Sequence, residues 1–135
     1  MDISIEQTVQ APLSQVWLAW TTPEHITQWN FASPDWCCPK ADIELKAVGR
    51  FNYRMEQVDG EMGFDFEGEF TLVEPEARIE FKLGDDRKVI VVFTDTPDGI
   101  KVSETFTAED EYSGEQQRQG WLAILTNFKN YVESQ

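Results

Sequence analysis

The sequence predicts an α+β fold: a curved antiparallel seven-stranded sheet wrapped round one long C-terminal helix, with two short helices after the first strand. Three observations carry this. Residues 113 to 135 hold an unbroken 3.6-residue apolar pattern. From Ala41 onward the period is two, interrupted by turn signals at strand-and-turn spacing. A single strand-like stretch precedes the two short helical patterns.

The C-terminal helix is the organising element. Ser113 can cap it, Gln116 stands three residues on as a capping-box partner, and Glu115 places negative charge where the helix dipole is positive. Trp121, Ile124, Leu125, Phe128, Tyr131 and Val132 follow at spacings of three and four, so they form one stripe that must be buried. About twenty residues at a rise of ~1.5 Å each span roughly 30 Å, enough to cross a whole sheet.

The other elements follow in chain order. Ile3, Ile5 and Val9 alternate with polar residues, giving a first strand over residues 2 to 10 that Ala11-Pro12 ends. Pro12 or Leu13 opens a short helix with Val16, Trp17 and Trp20, and Thr22-Pro23 starts a second with Ile26 and Trp29. Asn30 to Pro39 reads as a loop whose Phe31 and Trp36 cover something. Asp42 to Ala47 reads as a weak strand, and Phe51, Tyr53 and Met55 mark one face of the next. After Asp59-Gly60, residues Phe64, Phe66, Gly68, Phe70 and Leu72 share the apolar face of the clearest strand, which Pro75 ends. Ile79, Phe81 and Leu83 make another, Val89 to Phe93 is apolar on both faces, and Ile100 to Thr107 is the last. The acidic linker Glu109-Asp110-Glu111 then leads into the helix.

At 135 residues the chain makes one domain, 1–135, able to bury roughly two-thirds of its unfolded surface. No run approaches the ~20 apolar residues of a membrane span. The first residues, MDISIEQTVQ, have no basic region followed by an apolar core, which predicts a cytoplasmic chain. The net charge is −14, and eleven acids stand against two bases between Glu56 and Asp86. Such a surface repels phosphate, so nucleic acid and anionic membranes are poor partners. Solubility explains the charge, and an acidic docking face for a basic partner is the alternative. Cys37 and Cys38 are adjacent, which is no disulfide framework and fits a reduced compartment.

The aromatic residues Trp29, Trp36, Phe51, Tyr53, Phe64, Phe66, Phe70, Phe81, Phe93 and Trp121 exceed what a tight helix-on-sheet core needs. If the fold holds a cavity they line it with Leu125 and Phe128 of the helix; ordinary core packing is the alternative. Among polar residues Glu104 shares a strand face with Val102 and Phe106. Facing inward it would have a raised pKa and serve as a general acid or base. With the faces reversed, Ser103 and Thr105 are inside and Glu104 is in water. Tyr53 and Arg54 are weaker catalytic candidates, and Arg54 and Asp42 fit the surface or rim. His25 is the only histidine, which excludes a histidine-based metal cluster, and it reads as an exposed helix residue. No metal site, cofactor fingerprint or phosphate-cradling glycine loop occurs, so no cofactor is expected.

These elements and residues together resemble the helix-grip superfamily (SRPBCC), which includes lipid-transfer START domains, birch-pollen-type allergens and aromatic polyketide cyclases. Within it the chain is similar to the activator of heat-shock-protein ATPase homologue family. Carrying the resemblance are Ala11-Pro12 with Val16-Trp17 and Ala19, Thr22-Pro23 with Trp29, Trp36, and Gly49-Arg50-Phe51 with Met55. Later come Asp59-Gly60, Gly68 with Phe70 and Pro75, Arg78, Ser113-Gly114-Glu115, and Gly120-Trp121 with Leu125 and Phe128. The family often has paired glycines where this chain has Val48-Gly49. The resemblance implies binding of a small hydrophobic or aromatic ligand between the C-terminal helix and the sheet. It leaves open two others: a cyclase or aromatase enzyme using Glu104, Tyr53 or Arg54, and a chaperone-ATPase-activating interaction protein.

Overall fold

A computed structural model describes residues 1–109 and 113–135 of the chain. The elements run β1 (Asp2–Val9), α1 (Leu13–Thr21), α2 (Pro23–Trp29), β2 (Trp36–Ile43), β3 (Arg50–Gln57), β4 (Gly63–Glu74), β5 (Arg78–Leu83), β6 (Lys88–Thr96), β7 (Gly99–Thr107) and α3 (Gly114–Glu133). The seven strands form one antiparallel sheet in the order β1-β7-β6-β5-β4-β3-β2. It is a meander from β2 to β7, with β1 returning beside β7. The sheet curls, and α3 lies in its concave side, so the α+β architecture expected from the sequence is the one observed.

The start of α3 is capped as expected: the Gln116 amide donates to the Ser113 hydroxyl at 3.1 Å. Leu125, Phe128 and Val132 of its stripe are essentially sealed from solvent, while Trp121, Ile124 and Tyr131 pack partly buried beside them. Three polar bonds tie the helix to the edge strand β1. Arg118 Nη1 donates to the Ser4 carbonyl at 2.6 Å, Gln7 Nε2 to Thr126 Oγ1 at 2.9 Å, and Lys129 Nζ to the Thr8 carbonyl at 2.6 Å. The helix end near α1 and α2 is packed with rings: Phe128 meets Trp20 and Trp29 edge-on, at 4.9 and 4.8 Å between centroids. Trp29 also donates its indole N–H to the Ala19 carbonyl, at 2.9 Å, locking α2 onto α1.

Four local readings are corrected. First, β2 spans Trp36–Ile43 rather than Asp42 to Ala47. It is an edge strand paired only with β3, so Pro39, which lacks an N–H, is tolerated at a register shift between Cys37 and Lys40. Second, a bulge between Phe70 and Leu72 reverses the faces of β4, so Leu72 stands opposite Glu80 and Val73 turns to the core. Third, Thr22 sits at the N-cap of α2 as expected but makes no side-chain capping bond. Fourth, His25 is half-buried, its Nδ1 lying 2.5 Å from the Tyr131 hydroxyl, and so joins α2 to α3. Asp110 and Glu111 of the acidic linker lie outside the described residues.

The turn before β3 contains Val48 at φ 67° and then Gly49. A side chain at Gly49 would put its Cβ 2.2 Å from the Glu44 carbonyl oxygen, so only glycine fits. Val48, 74% exposed, holds a left-handed conformation that a β-branched residue rarely adopts, at roughly 1–2 kcal/mol. The Val48 amide and the Gly49 carbonyl both bond Phe70, at 2.8 Å each, which holds the turn in that shape. Glycine in this position relieves the strain and loses roughly 0.5–1 kcal/mol through the flexibility of the unfolded chain. Val48→Gly is therefore expected to raise stability by about 0.5–1 kcal/mol, read as a higher denaturation midpoint at unchanged slope.

Candidate functional site

The curl of the sheet leaves more room under its β3–β5 half than α3 fills. The result is a cavity of about 550 Å³ bounded by β3, β4, β5, β7, α3 and the α1–α2 corner. Its aromatic wall starts with Phe51, whose ring packs on Phe81 at 4.9 Å and Phe70 at 5.2 Å between centroids. That packing needs Gly68: a Cβ there would lie 3.0 Å from the Phe51 ring and 2.4 Å from the Lys82 carbonyl oxygen. Phe66 and Tyr53 continue the wall toward solvent, and Phe64, 49% exposed, stands at its mouth. From the opposite side Trp121 of α3 stacks flat on Phe106, 4.1 Å between centroids and 9° between planes, and meets Phe66 edge-on.

Of the residues singled out from the sequence, Trp29, Phe51, Tyr53, Phe64, Phe66, Phe70, Phe81, Glu104 and Trp121 line this cavity. Trp36, Phe93, Leu125 and Phe128 do not. Leu125 and Phe128 are sealed from solvent in the core and are absent from the cavity lining. Phe93 packs edge-on against Trp17 and Trp20. Trp36 is on the edge strand, with its ring against Phe64 at 5.8 Å. Arg54 is also outside, ion-paired on the outer face with Glu56 at 2.9 Å and Asp65 at 3.6 Å. Both carboxylates hold its guanidinium in the charged form, above its usual range.

The lining also includes residues that sequence reasoning missed. Trp20, Ile43, Met55, Ile79, Leu83 and Ile124 extend the apolar wall, and Asn30, Asp65, Glu67, Asp85, Arg87 and Glu109 supply polar groups. Ile79, Leu83 and Met55 had the right signal, an inward-facing place on their strands. The rim residues from the β5–β6 turn and the segment after β7 had none, because they meet only when the sheet curls. There Arg87 bridges Asp85 at 2.6 Å and Glu109 at 3.0 Å. Gln117 of α3 holds Glu109 in place, accepting from its amide at 2.7 Å and donating to its carbonyl at 2.9 Å.

The inward sense of β7 is resolved. Glu104 is 6% exposed, between Val102 and Phe106 on the concave face, and its strand neighbours are Ile5 and Val91. Among the described residues its carboxyl has no hydrogen-bond or ion-pair partner. Burial alone pushes its pKa up to about 8, so it is a neutral acid at pH 7. Across the cavity, burial also raises the Tyr53 phenol, whose hydroxyl has no hydrogen-bond partner among the described residues. Burial pushes Cys38 up to about 11, which keeps it a thiol, with its Sγ 3.6 Å from the Lys40 carbonyl. Among the described residues no three histidine, cysteine or carboxylate side chains converge as metal ligands, and no helix is long and apolar enough to cross a membrane.

The chain is similar to the solution structure of an AHSA1-like protein from Aeromonas hydrophila. They share 45% identity and a TM-score of 0.94, over 99% of this chain and 93% of that one. It is also similar to a protein from Cytophaga hutchinsonii, at 44% identity and a TM-score of 0.85, covering 98% and 92% of the two chains. A protein from Nitrosomonas europaea shares the fold, with a TM-score of 0.85 at 18% identity over 99% of this chain and 95% of that one. No protein with a curated functional description matches. The family model described as Activator of Hsp90 ATPase homolog 1-like protein matches residues 10–133, from the end of β1 to the last turn of α3. The chain therefore belongs to the Activator of Hsp90 ATPase homolog 1-like family.

Proposed function

We propose that this protein binds a small, largely apolar molecule in the cavity between α3 and the sheet. The observation that carries this is the cavity itself, about 550 Å³ with aromatic walls, within the range of roughly 300–1,000 Å³ usual for small-molecule sites. The helix-grip superfamily, with its lipid-transfer members, supports the same reading. Affinity would come from covering apolar surface, about 25 cal/mol per Å² removed from water, less the cost of immobilising the ligand. Glu104 and Tyr53 supply polar groups for orienting it. One observation favours a second reading: a carboxylic acid held neutral by burial in a cavity wall is a proton donor, as a cyclase or aromatase chemistry requires. That reading needs turnover in addition to binding.

Two tests follow. The first uses a panel of hydrophobic molecules, lipids and polycyclic aromatics, followed by melting temperature and tryptophan fluorescence. A binder at 100 times its dissociation constant is expected to add about 2.7 kcal/mol to stability. Phe64, at the mouth and half-exposed, can be truncated with little effect on folding. Phe64→Ala should thus weaken the binder while melting alone at nearly the native temperature; a folded protein indifferent to the whole panel would overturn the reading.

The second test concerns Glu104. Its folded pKa, about 8, lies above the ordinary glutamate value of 4.5, so the folded state holds its proton more tightly. Below pH 4.5 both folded and unfolded chains are protonated and there is no penalty. Between 4.5 and 8 the unfolded chain alone releases the proton, so this group lowers stability as pH rises, by about tenfold in the folding constant per unit, and the loss is complete above 8. Glu104→Gln removes the effect. Denaturation midpoints of the two proteins should converge near pH 4.5 and separate up to pH 8, the variant being the more stable; parallel curves would show that Glu104 is solvated.

A further inference from the structure

The charged groups of the cavity are arranged for one class of ligand. Asp65, Glu67, Asp85 and Glu109 line it together with the buried acid Glu104; Asp65 is paired with Arg54 on the outer face, and Arg87, the base among the lining residues, is held by Asp85 and Glu109. The chain as a whole carries a net charge of −14. An anionic ligand such as a fatty acid would meet this field at the mouth and find no free base within, among the described residues. A cation is drawn in by the same field. Inside, it meets Glu104, more than nine-tenths buried, unpartnered and pointing into the space. The rings of Tyr53, Phe66 and Trp121 line the same cavity, and aromatic faces attract cations.

Resting on the ligand-binding reading above, we infer that the ligand is a hydrophobic cation, an amine or quaternary ammonium with an apolar or aromatic body, and that Glu104 is its buried counter-ion. The body occupies the Phe51, Phe70 and Phe81 wall, and the charged head sits beside β7. Glu104 is the acid when the cavity is empty, so binding an ammonium head sends its carboxyl proton to solvent. Nearly one proton leaves per ligand bound at pH 6.5, and about a quarter of one at pH 8.5. Its strand neighbours Ile5 and Val91 and the facing helix residues Trp121 and Ile124 carry no charge. The other ionisable groups around the space are Tyr53, Asp65, Glu67, Asp85, Arg87 and Glu109. Burial moves the Tyr53 phenol upward and the Arg87 hydrogen bond moves the Asp85 carboxyl downward, each further from neutrality. Between pH 6.5 and 8.5 the ionised fraction of Glu104 rises from about one in thirty to three in four, about twentyfold.

The test compares trimethyl(naphthalen-1-ylmethyl)ammonium, which cannot titrate, with its uncharged carbon isostere 1-(2,2-dimethylpropyl)naphthalene, using native protein and Glu104→Gln. The expected result is that the cation binds native protein at least tenfold tighter at pH 8.5 than at 6.5, and at least tenfold tighter than the isostere at pH 8.5. Glu104→Gln, checked by melting, should lose both differences and keep the isostere. The pH comparison needs no variant. Equal affinity of the two probes at both pH values would overturn the cation inference and leave the cavity reading standing. So would a pH-independent preference for the cation, or one that survives Glu104→Gln. Failure of both probes while other members of the hydrophobic panel bind overturns the inference alone; failure of the whole panel overturns both.

Discussion

The burial of one helix stripe against one concave sheet face is the constraint on which the rest depends. The apolar side of α3, centred on Leu125, Phe128 and Val132, and the inward residues of β5, β6 and β7 need covering, and they cover each other. The helix is anchored more firmly at one side than the other. Arg118, Thr126 and Lys129 bond β1, and Phe128 is clasped by Trp20 and Trp29, so the helix leans toward β1 and the short helices. Among the described residues, Trp121 and Ile124 are the ones that α3 contributes to the cavity under the β3–β5 half of the sheet.

A cavity of this kind lowers stability, because its walls lack the neighbours that a packed core supplies. An unpartnered carboxyl inside it lowers stability again above the pKa of the free side chain. Both features persist in a chain whose other core contacts are well made: Phe106 stacks flat under Trp121, and Val9, Val16, Ile26 and Val102 are sealed from solvent. Stability given up at a localised, solvent-connected site, beside a well-packed remainder, is the usual arrangement of a binding or catalytic centre. The position of Glu104 beside the Phe106–Trp121 stack puts a buried acid and a partly buried indole within the same wall.

The rim shows how sequence-distant segments are joined by side-chain chemistry rather than by strand pairing. Arg87, from the β5–β6 turn, reaches Asp85 beside it and Glu109 after β7, while Gln117 on α3 bonds the backbone of Glu109. Three elements thus meet at one edge of the mouth. The exposed pairs add little to stability singly, yet they set which charges face the opening.

Much of this was legible in the order of residues. Period-two and period-3.6 patterns are read directly from the sequence because the pleat and the helix impose them locally, so seven strands, the capped start of α3 and the inward set Phe51, Phe66, Phe70 and Phe81 followed without coordinates. Other features had no local signal. The bulge that turns Val73 inward instead of Leu72, and the edge position that admits Pro39 into β2, depend on the neighbouring strand. Period two leaves the sense of a strand undetermined, so only packing of Val102 and Phe106 under α3 decided that Glu104 faces in. Phe128 and Leu125 share a stripe with Trp121, and nothing in their spacing separates them. The anchoring of the helix on β1 and the short helices does so, placing two in the sealed core and the third at the cavity, because those contacts exist only in the whole assembled domain.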